Sequence, residues 1–367
     1  MKASCTAGKQ QMKLKVLHVI TSLGIGGAEV LLSNSLAKDG LQEYTDNSIA
    51  LFEGTSWVID RIDKDVKWYH LNFKSIYSLP RVLYNLRKII KENKIDIVHT
   101  HLTRTGFLTH LILPKNVKHV HTIHTTYSKN FETGKALLWI EKHLYFKSKN
   151  ANIISLSEYT KDDFLKAIDF KGNIFVLNNF VSDVYFNLHK LPYPADSPTL
   201  KLIAVGTLKK LKNFEFLLEV FDYLKDYPIT LDIYGDGDQE PYKKVIRANN
   251  LKVKMMGPTP DLPGVMAKYD LFIMPSIFEG FPLVLFEAMA SGVPVMLSQL
   301  DSLKCIAKEN AIYFNFEAKP VADIIQSIFE QKIDVNSLAK KARSYAEETV
   351  KREKYIARLL DIYAALK

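Results

Sequence analysis

The chain is poor in cysteine, with only Cys5 and Cys305 among 367 residues. That is too few for a disulfide framework and fits a reducing compartment. Long hydrophobic runs are missing as well. A membrane-crossing helix needs about 20 apolar residues in succession. The first apolar stretch, Leu14 to Ile20, is broken by Lys15 and His18. No signal-peptide pattern stands at the start, where residues 1–12 are polar and Met12 reads as the beginning of the fold. Several motifs are lacking too: the G-x-G-x-x-G dinucleotide turn, the Walker lysine loop, the serine nucleophile elbow and the zinc-protease helix. Their absence argues against an NAD-dependent enzyme and several hydrolase classes. There is no short-period repeat and no low-complexity tract.

What is present is a globular composition, 47% hydrophobic, in a chain long enough for two ordinary domains. The net charge of +9 is uneven. Residues 1–190 hold 26 Lys+Arg against 17 Asp+Glu, whereas residues 191–367 hold 23 of each. The entire excess therefore lies in the first half. A basic half is either ordinary solubilising charge or an attractor for anionic partners such as lipid headgroups or phosphorylated substrates.

Strand and helix signals alternate. In the first half, strands are expected at 14–20, 48–52, 66–71, 95–99, 119–123 and 152–156, with an extended piece at 174–177. Helices are expected at 28–37, 78–91 and 159–167. Residues 187–199 carry three prolines and read as a linker. After it the alternation resumes: strands at 201–205, 230–234, 253–256, 271–274 and 293–297, helices at 214–224 and 241–248, and two C-terminal helical stretches. This pattern predicts an α/β protein of two doubly wound parallel-sheet domains.

The most informative stretch runs from Glu279 to Pro294. Two glutamates, Glu279 and Glu287, flank a Gly280-Phe281-Pro282 turn between an apolar strand and a helix-like run. Pro282 suits the first helical position, where its missing N–H costs nothing. The amides that follow would be free to face an anion. A second loop, Gly206-Thr207-Leu208-Lys209-Lys210-Leu211-Lys212-Asn213, follows a strand and holds three lysines, flexible point charges suited to phosphate. A glycine turn, Gly235-Asp236-Gly237, ends the next strand. Near the N-terminus Gly24, Gly26 and Gly27 form a tight turn into a helix, with Glu29 just inside it. His99 and His101 end one strand, and His121 and His124 end another. Such histidines serve as hydrogen-bonding core groups or as substrate contacts. A metal fits less readily, because no cysteine or carboxylate set has matching spacing. Glu279 and Glu287 by themselves could also be a glycosidase-like pair, although spacing does not place them about one bond. The helix 78–91 gathers Leu79, Val82, Leu83, Leu86, Ile89 and Ile90 on one side and Arg81, Arg87, Lys88 and Lys91 elsewhere. It either covers a sheet or rests on a membrane surface.

Taken together, these segments resemble the retaining glycosyltransferases of group 1, family 4. The most specific part is Pro275-Ser276-x-x-Glu279-Gly280-Phe281-Pro282-Leu283 through Glu287-Ala288-Met289-Ala290-x-Gly292-x-Pro294. Gly26-Gly27-x-Glu29, Val205-Gly206-x-Leu208 with Lys212-Asn213, and Tyr234-Gly235-Asp236-Gly237 support it. The resemblance implies a GT-B fold, two Rossmann-like domains with an interdomain cleft. The acceptor-binding domain would be 13–187, the linker 188–199 and the nucleotide-sugar domain 200–349. A final helix, about 350–367, would pack back on the first domain.

By motif position, Glu287 would bind the ribose hydroxyls and Glu279 the sugar hydroxyls. Lys212 would neutralise the diphosphate. Gly206, Thr207 and Gly235 would line the donor, and amides near Gly280, Phe281, Pro282, Leu283 and Val284 would hold the sugar and diphosphate. Gly26, Gly27, Glu29 and His101 would lie near the acceptor and reaction centre, with His124 contacting the sugar beside its anomeric carbon. The family chemistry implies front-face attack, with a donor phosphate oxygen taking the acceptor's proton. It implies no cofactor and no required metal.

The expected function is transfer of a sugar from a nucleotide-diphospho-sugar, UDP by family frequency, to a lipid-linked or polysaccharide acceptor for surface glycan synthesis. The expected place is the cytoplasmic membrane face, with the basic first domain against anionic lipid and no nucleic acid involved. Two positions depart from the family pattern. Thr207 stands where an arginine is usual, and Cys305 where a glutamate is common. Thr207 motivates a second expectation, a catalytically silent GT-B subunit that supports a partner transferase.

Overall fold

The structure, a computed structural model, describes residues 13–24, 27–54, 61–124, 126, 151–188, 192–194 and 197–366. The chain divides into two compact units. One comprises residues 1–155, 165–175 and 359–367; the other comprises 156–164 and 176–358.

The first unit alternates as the sequence pattern requires. In chain order come β1 (Lys15–Ile20), α1 (Gly27–Ser35), β2 (Asp46–Leu51), β3 (Lys67–His70), α2 (Leu79–Glu92) and β4 (Ile97–His101). Then follow α3 (Thr103–His110), β5 (Lys118–Ile123), β6 (Asn152–Ser155), α4 (Glu158–Ala167) and β7 (Asn173–Val176). The sheet order is β3-β2-β1-β4-β5-β6-β7, and β3 through β6 pair in parallel. Strands buried on both faces need continuous apolar or satisfied polar side chains. Leu17, Val19, Ile49, Val98, Val120 and Ile153 supply the apolar part. Helix α2 buries Val82, Leu86 and Ile90. Its apolar stripe therefore faces inward, and any lipid contact falls to its other side. Three strand ends in this sheet differ from expectation by two residues. The clearest is β4, which runs on to His101, so His99 lies within the strand. Helix α3 was not foreseen: Thr-Arg-Thr-Gly-Phe-Leu-Thr-His is rich in weak helix formers, and tertiary packing decides it.

After α5 (Asp183–Phe186), the second unit holds β8 (Leu200–Val205), α6 (Phe214–Asp222), β9 (Ile229–Tyr234), α7 (Glu240–Ala248) and β10 (Val253–Gly257). It continues with α8 (Leu262–Met266), β11 (Leu271–Met274), α9 (Leu283–Ala290), β12 (Val295–Ser298), α10 (Asp301–Ala307) and β13 (Ile312–Phe314). Then come α11 (Ala318–Phe329), α12 (Val335–Thr349) and α13 (Arg352–Ala365), three C-terminal helices where two were expected. The last turns of α13 belong to the first unit. The sheet order is β10-β9-β8-β11-β12-β13, parallel throughout. Alternate residues feed two cores, one on each face. Leu202, Ala204, Leu271 and Ile273 enter one, and Ile203, Phe272 and Met274 enter the other.

Both sheets reverse direction after their first three strands, at β1/β4 and at β8/β11. In open α/β sheets the crevice beyond the strand C-termini at such a reversal is where ligands bind.

Candidate functional site

In the second unit the loops after β8 and β11 meet at that reversal point. The β8 loop turns through a short 3-10 segment, Lys210–Lys212, and ends on Asn213 in the left-handed region (φ 53). The Ile277 N–H donates to the Leu211 carbonyl at 2.9 Å and ties the two loops together. Lys212 Nζ then donates to Glu279 Oε1 at 2.6 Å, and Ser276 Oγ donates to the same oxygen at 2.7 Å. Glu279 is buried, so its charge needs this partner. Residues 67 apart in sequence thus form one ionic unit.

The glycines make room for this arrangement. The Lys212 stem lies against Gly206, where a Cβ would sit 3.3 Å from its methylenes. A Cβ on Gly235 would fall 1.7 Å from the Gly206 carbonyl oxygen, so no side chain fits there. Thr207, Lys209 and Lys210 are exposed. Among the described residues, the ammonium groups of Lys209 and Lys210 have no partner.

Helix α9 starts at Leu283, one residue later than expected. Pro282 precedes it with extended backbone (φ −75, ψ 110) and so caps the helix rather than beginning it. The first-turn amides, from Leu283 and Val284 onward, have no partner within the helix. Phe281 is buried and stacks on Phe286 at 5.0 Å, which pins the turn. Glu287, one turn further on, is half-buried. Burial pushes its carboxyl up to about 7, and a hydrogen bond with Tyr185 on α5 opposes that shift. A pocket lined by Leu188, Tyr193, Asp270, Pro294 and Arg343 includes residues preceding β11 and β12, at the opposite strand ends from these loops.

In the first unit, Gly27 opens α1 and Glu29 lies in its first turn, while Gly26 falls outside the described residues. His101 is the last residue of β4, and His124 directly follows β5. Side chains two apart on a strand share a face, and so do register partners on parallel neighbours. His18 pairs with His99, and His101 with Thr122, so one face gathers His18, His99, His101, Thr122 and His124. The opposite face gathers Thr100, His119 and His121. Thr100 Oγ1 lies 3.0 Å from His119 Nε2 and 2.9 Å from His121 Nδ1. Gly106 of α3 lies so close to the His121 ring that a Cβ there would come within 2.6 Å.

Sequence reading missed His18 because its neighbours lie on other strands; only the strand order β1-β4-β5 brings them together. His18, His99 and His101 each have a ring nitrogen within 4.8 Å of the others', a spacing that could suit a metal. Their ring nitrogens are already hydrogen-bonded to protein groups. Burial, first of all, holds every histidine of the two clusters below its usual range, His18 and His124 at about 4 and His121 at about 3. They are neutral at physiological pH.

Comparison with known proteins agrees with this architecture. The profile "Glycosyltransferase Family 4" matches residues 32–184, and "Glycosyl transferases group 1" matches residues 199–331. The chain belongs to the group 1, family 4 glycosyltransferases. An Escherichia coli relative, UDP-Gal:alpha-D-GlcNAc-diphosphoundecaprenol alpha-1,3-galactosyltransferase, is 23% identical over 96% of this chain and 97% of its own. Among solved structures, a glycosyltransferase from Rickettsia africae ESF-5 superposes with a TM-score of 0.80 at 19% identity, covering 96% of this chain and 98% of that one. Anabaena Alr3699/HepE in complex with UDP-glucose gives 0.80 at 18% identity, covering 96% and 100%. The fold of this glycosyltransferase is GT-B, with two Rossmann-like units.

Proposed function

We propose that this glycosyltransferase moves a sugar, with retention, from a UDP-sugar to a lipid-linked acceptor in surface glycan synthesis. The carrying observation is the convergence of Lys212, Glu279 and the α9 N-terminus at the β8/β11 reversal point. A nucleotide diphosphate presents two needs, neutralisation of its anion and recognition of its hydroxyls. Lys212 and the free amides answer the first. The carboxylates of Glu279 and Glu287 answer the second, for sugar and ribose. The leaving group is an anion, so stabilising it in place supplies much of the rate. Lys212 can swing from Glu279 to the diphosphate, and the freed carboxylate then accepts from sugar hydroxyls. With that charge supplied by protein groups, the reaction runs without a required metal. His124 contributes a contact to a sugar hydroxyl.

The UDP donor and the lipid-linked acceptor rest on the kinship reported above. The membrane association rests on the basic first unit and on the outer side of α2, where Arg81, Tyr84, Lys88 and Lys91, with Tyr77 of the turn just before the helix, form an exposed stripe. Among the described residues, no helix is long and apolar enough to cross a membrane.

The test is transfer from a panel of UDP-sugars to an undecaprenyl-diphospho-sugar, with the new anomeric centre read by NMR. An α product from an α-linked donor is expected. Turnover only with other nucleotides, or an inverted product, contradicts the proposal. Thr207 supports one other reading, a silent partner subunit, because a neutral hydroxyl cannot replace a bidentate guanidinium. Calorimetric titration in which neither UDP nor GDP binds would favour it.

A further inference from the structure

The buried histidines of the first unit follow an order that the proposed chemistry does not explain. The hydrogen bonds run from strand to strand across the β1/β4 reversal point. Asn47 on β2 meets His18 on β1, with Oδ1 to Nε2 at 3.2 Å. His18 Nδ1 meets His101 Nε2, at the end of β4, at 3.2 Å. His101 Nδ1 meets His124 Nε2, just past β5, at 3.4 Å. One residue from each of four adjacent strand positions makes a continuous chain.

The direction of this chain can be deduced. The backbone carbonyl of Thr45 can only accept, and Asn47 Nδ2 donates a hydrogen bond to it at 3.1 Å. The Asn47 N–H donates to Gln42 Oε1, which also accepts from Asn47 Nδ2 at 3.0 Å. Both anchors fix the amide so that Oδ1 is the acceptor facing His18. His18 Nε2 therefore carries its proton. Being neutral, His18 leaves Nδ1 bare, so His101 must donate from Nε2. Neutral His101 in turn leaves Nδ1 bare, and His124 donates from Nε2. The lone pair of the last ring then lies on His124 Nδ1. Among the described residues, that nitrogen has no partner.

We propose that Asn47, His18 and His101 are positioning residues that fix the tautomer of His124 and present its Nδ1 as an obligatory hydrogen-bond acceptor for a sugar hydroxyl. This rests on the substrate role given to His124 above. A neutral imidazole with free choice of tautomer could meet that hydroxyl with an N–H, which repels a donor; the relay removes that choice. His99 steadies the assembly. It stacks on His101 at 4.2 Å, while Tyr363 Oη (2.8 Å) and Thr122 Oγ1 (2.7 Å) engage its own nitrogens. Burial keeps all three relay rings neutral, so the one-donor, one-acceptor logic holds at working pH.

The test is nitrogen-15 NMR of the full chain labelled at histidine, where two-bond couplings report which ring nitrogen bears the proton. His18, His101 and His124 should all be Nε2–H, and an Nδ1–H assignment for any of them overturns the relay. Asn47→Leu removes the anchor: His124 should gain an Nδ1–H population, and kcat/KM should fall roughly 10- to 100-fold. A folded Asn47→Leu protein whose His124 tautomer is unchanged contradicts the proposal, and the labelled wild-type spectrum decides it if that variant does not fold. The tautomers are read without turnover, so the two readings fail separately. Full activity in His124→Ala removes the substrate role, whereas absence of UDP binding to the wild-type protein counts against the transferase reading alone.

Discussion

Lys212 Nζ lies 2.6 Å from Glu279 Oε1, and the two residues come from loops that follow neighbouring strands where the sheet order reverses. Each holds the other's charge until a ligand arrives. Lys212→Ala leaves a buried carboxylate without its cation and removes the charge proposed for the diphosphate. Its kcat/KM for sugar transfer should fall about 100- to 1000-fold. Glu279→Gln keeps the shape and should lose less UDP affinity than Lys212→Ala but as much turnover. Steady-state kinetics with UDP titration separates the two effects.

Glu287 carries a pH dependence of its own. Its carboxyl is raised to about 7 from an ordinary 4.5, so between those values the folded state binds more protons than the unfolded one. Stability therefore falls as pH rises from 4.5 towards 7, and the cost is fully present above 7. Glu287→Gln should raise the unfolding free energy at pH 8 by about 1–3 kcal/mol and change it little at pH 4.5. Ribose hydroxyls need the ionised form, so UDP affinity should rise with pH up to about 7 and then level. Calorimetry in buffers of different ionisation enthalpy should show proton release on binding.

The histidine clusters have the opposite sign. Their folded values lie well below the usual 6.5, so the unfolded chain takes up protons first as pH falls. The stability they hold is complete above 6.5 and is lost between 6.5 and about 4. A single ring such as His18 accounts for up to about 3 kcal/mol. No histidine occurs in residues 197–366, so acid should loosen the first unit first. Hydrogen exchange at pH 7 and pH 5 should show faster exchange in β1, β4 and β5 while β8 and β11 stay protected.

Gly235→Ala puts a Cβ into the Gly206 carbonyl, backbone against backbone. The second unit should lose about 3 kcal/mol or more, or fail to fold. Thermal unfolding decides this, and an unchanged midpoint would mean that the β8 and β9 loops are not packed as described.

Much of this was legible in the chain. Alternating strand and helix signals gave both sheets, and the Glu279–Glu287 stretch and Lys212 stood out in the two loops that the fold brings together. Register was not legible. Nothing in the sequence pairs His18 with His101, because that contact arises only once β4 crosses to lie beside β1. Helix α3 escaped notice because its threonines and glycine mask it, and Pro282 was expected inside α9 because its fixed φ suits either side of the boundary. The inward turn of the α2 apolar face also needed the fold. Once it is known, the outer stripe carries the membrane prediction. Tyr77, 92% exposed, has no core role. Arg81→Ser and Lys88→Ser should each weaken binding to vesicles containing anionic lipid by about 1 kcal/mol. Sedimentation with and without anionic lipid checks this.

The most direct measurement is calorimetric titration of UDP into the wild-type protein and the Lys212→Ala and Glu287→Ala variants at pH 7.5. The expected result is saturable binding of one UDP per chain to the wild-type protein, weakened at least tenfold in both variants, about 1.4 kcal/mol or more. No binding by the wild-type protein, or equal affinity in all three, would contradict the assignment of the β8 and β11 loops as the donor site.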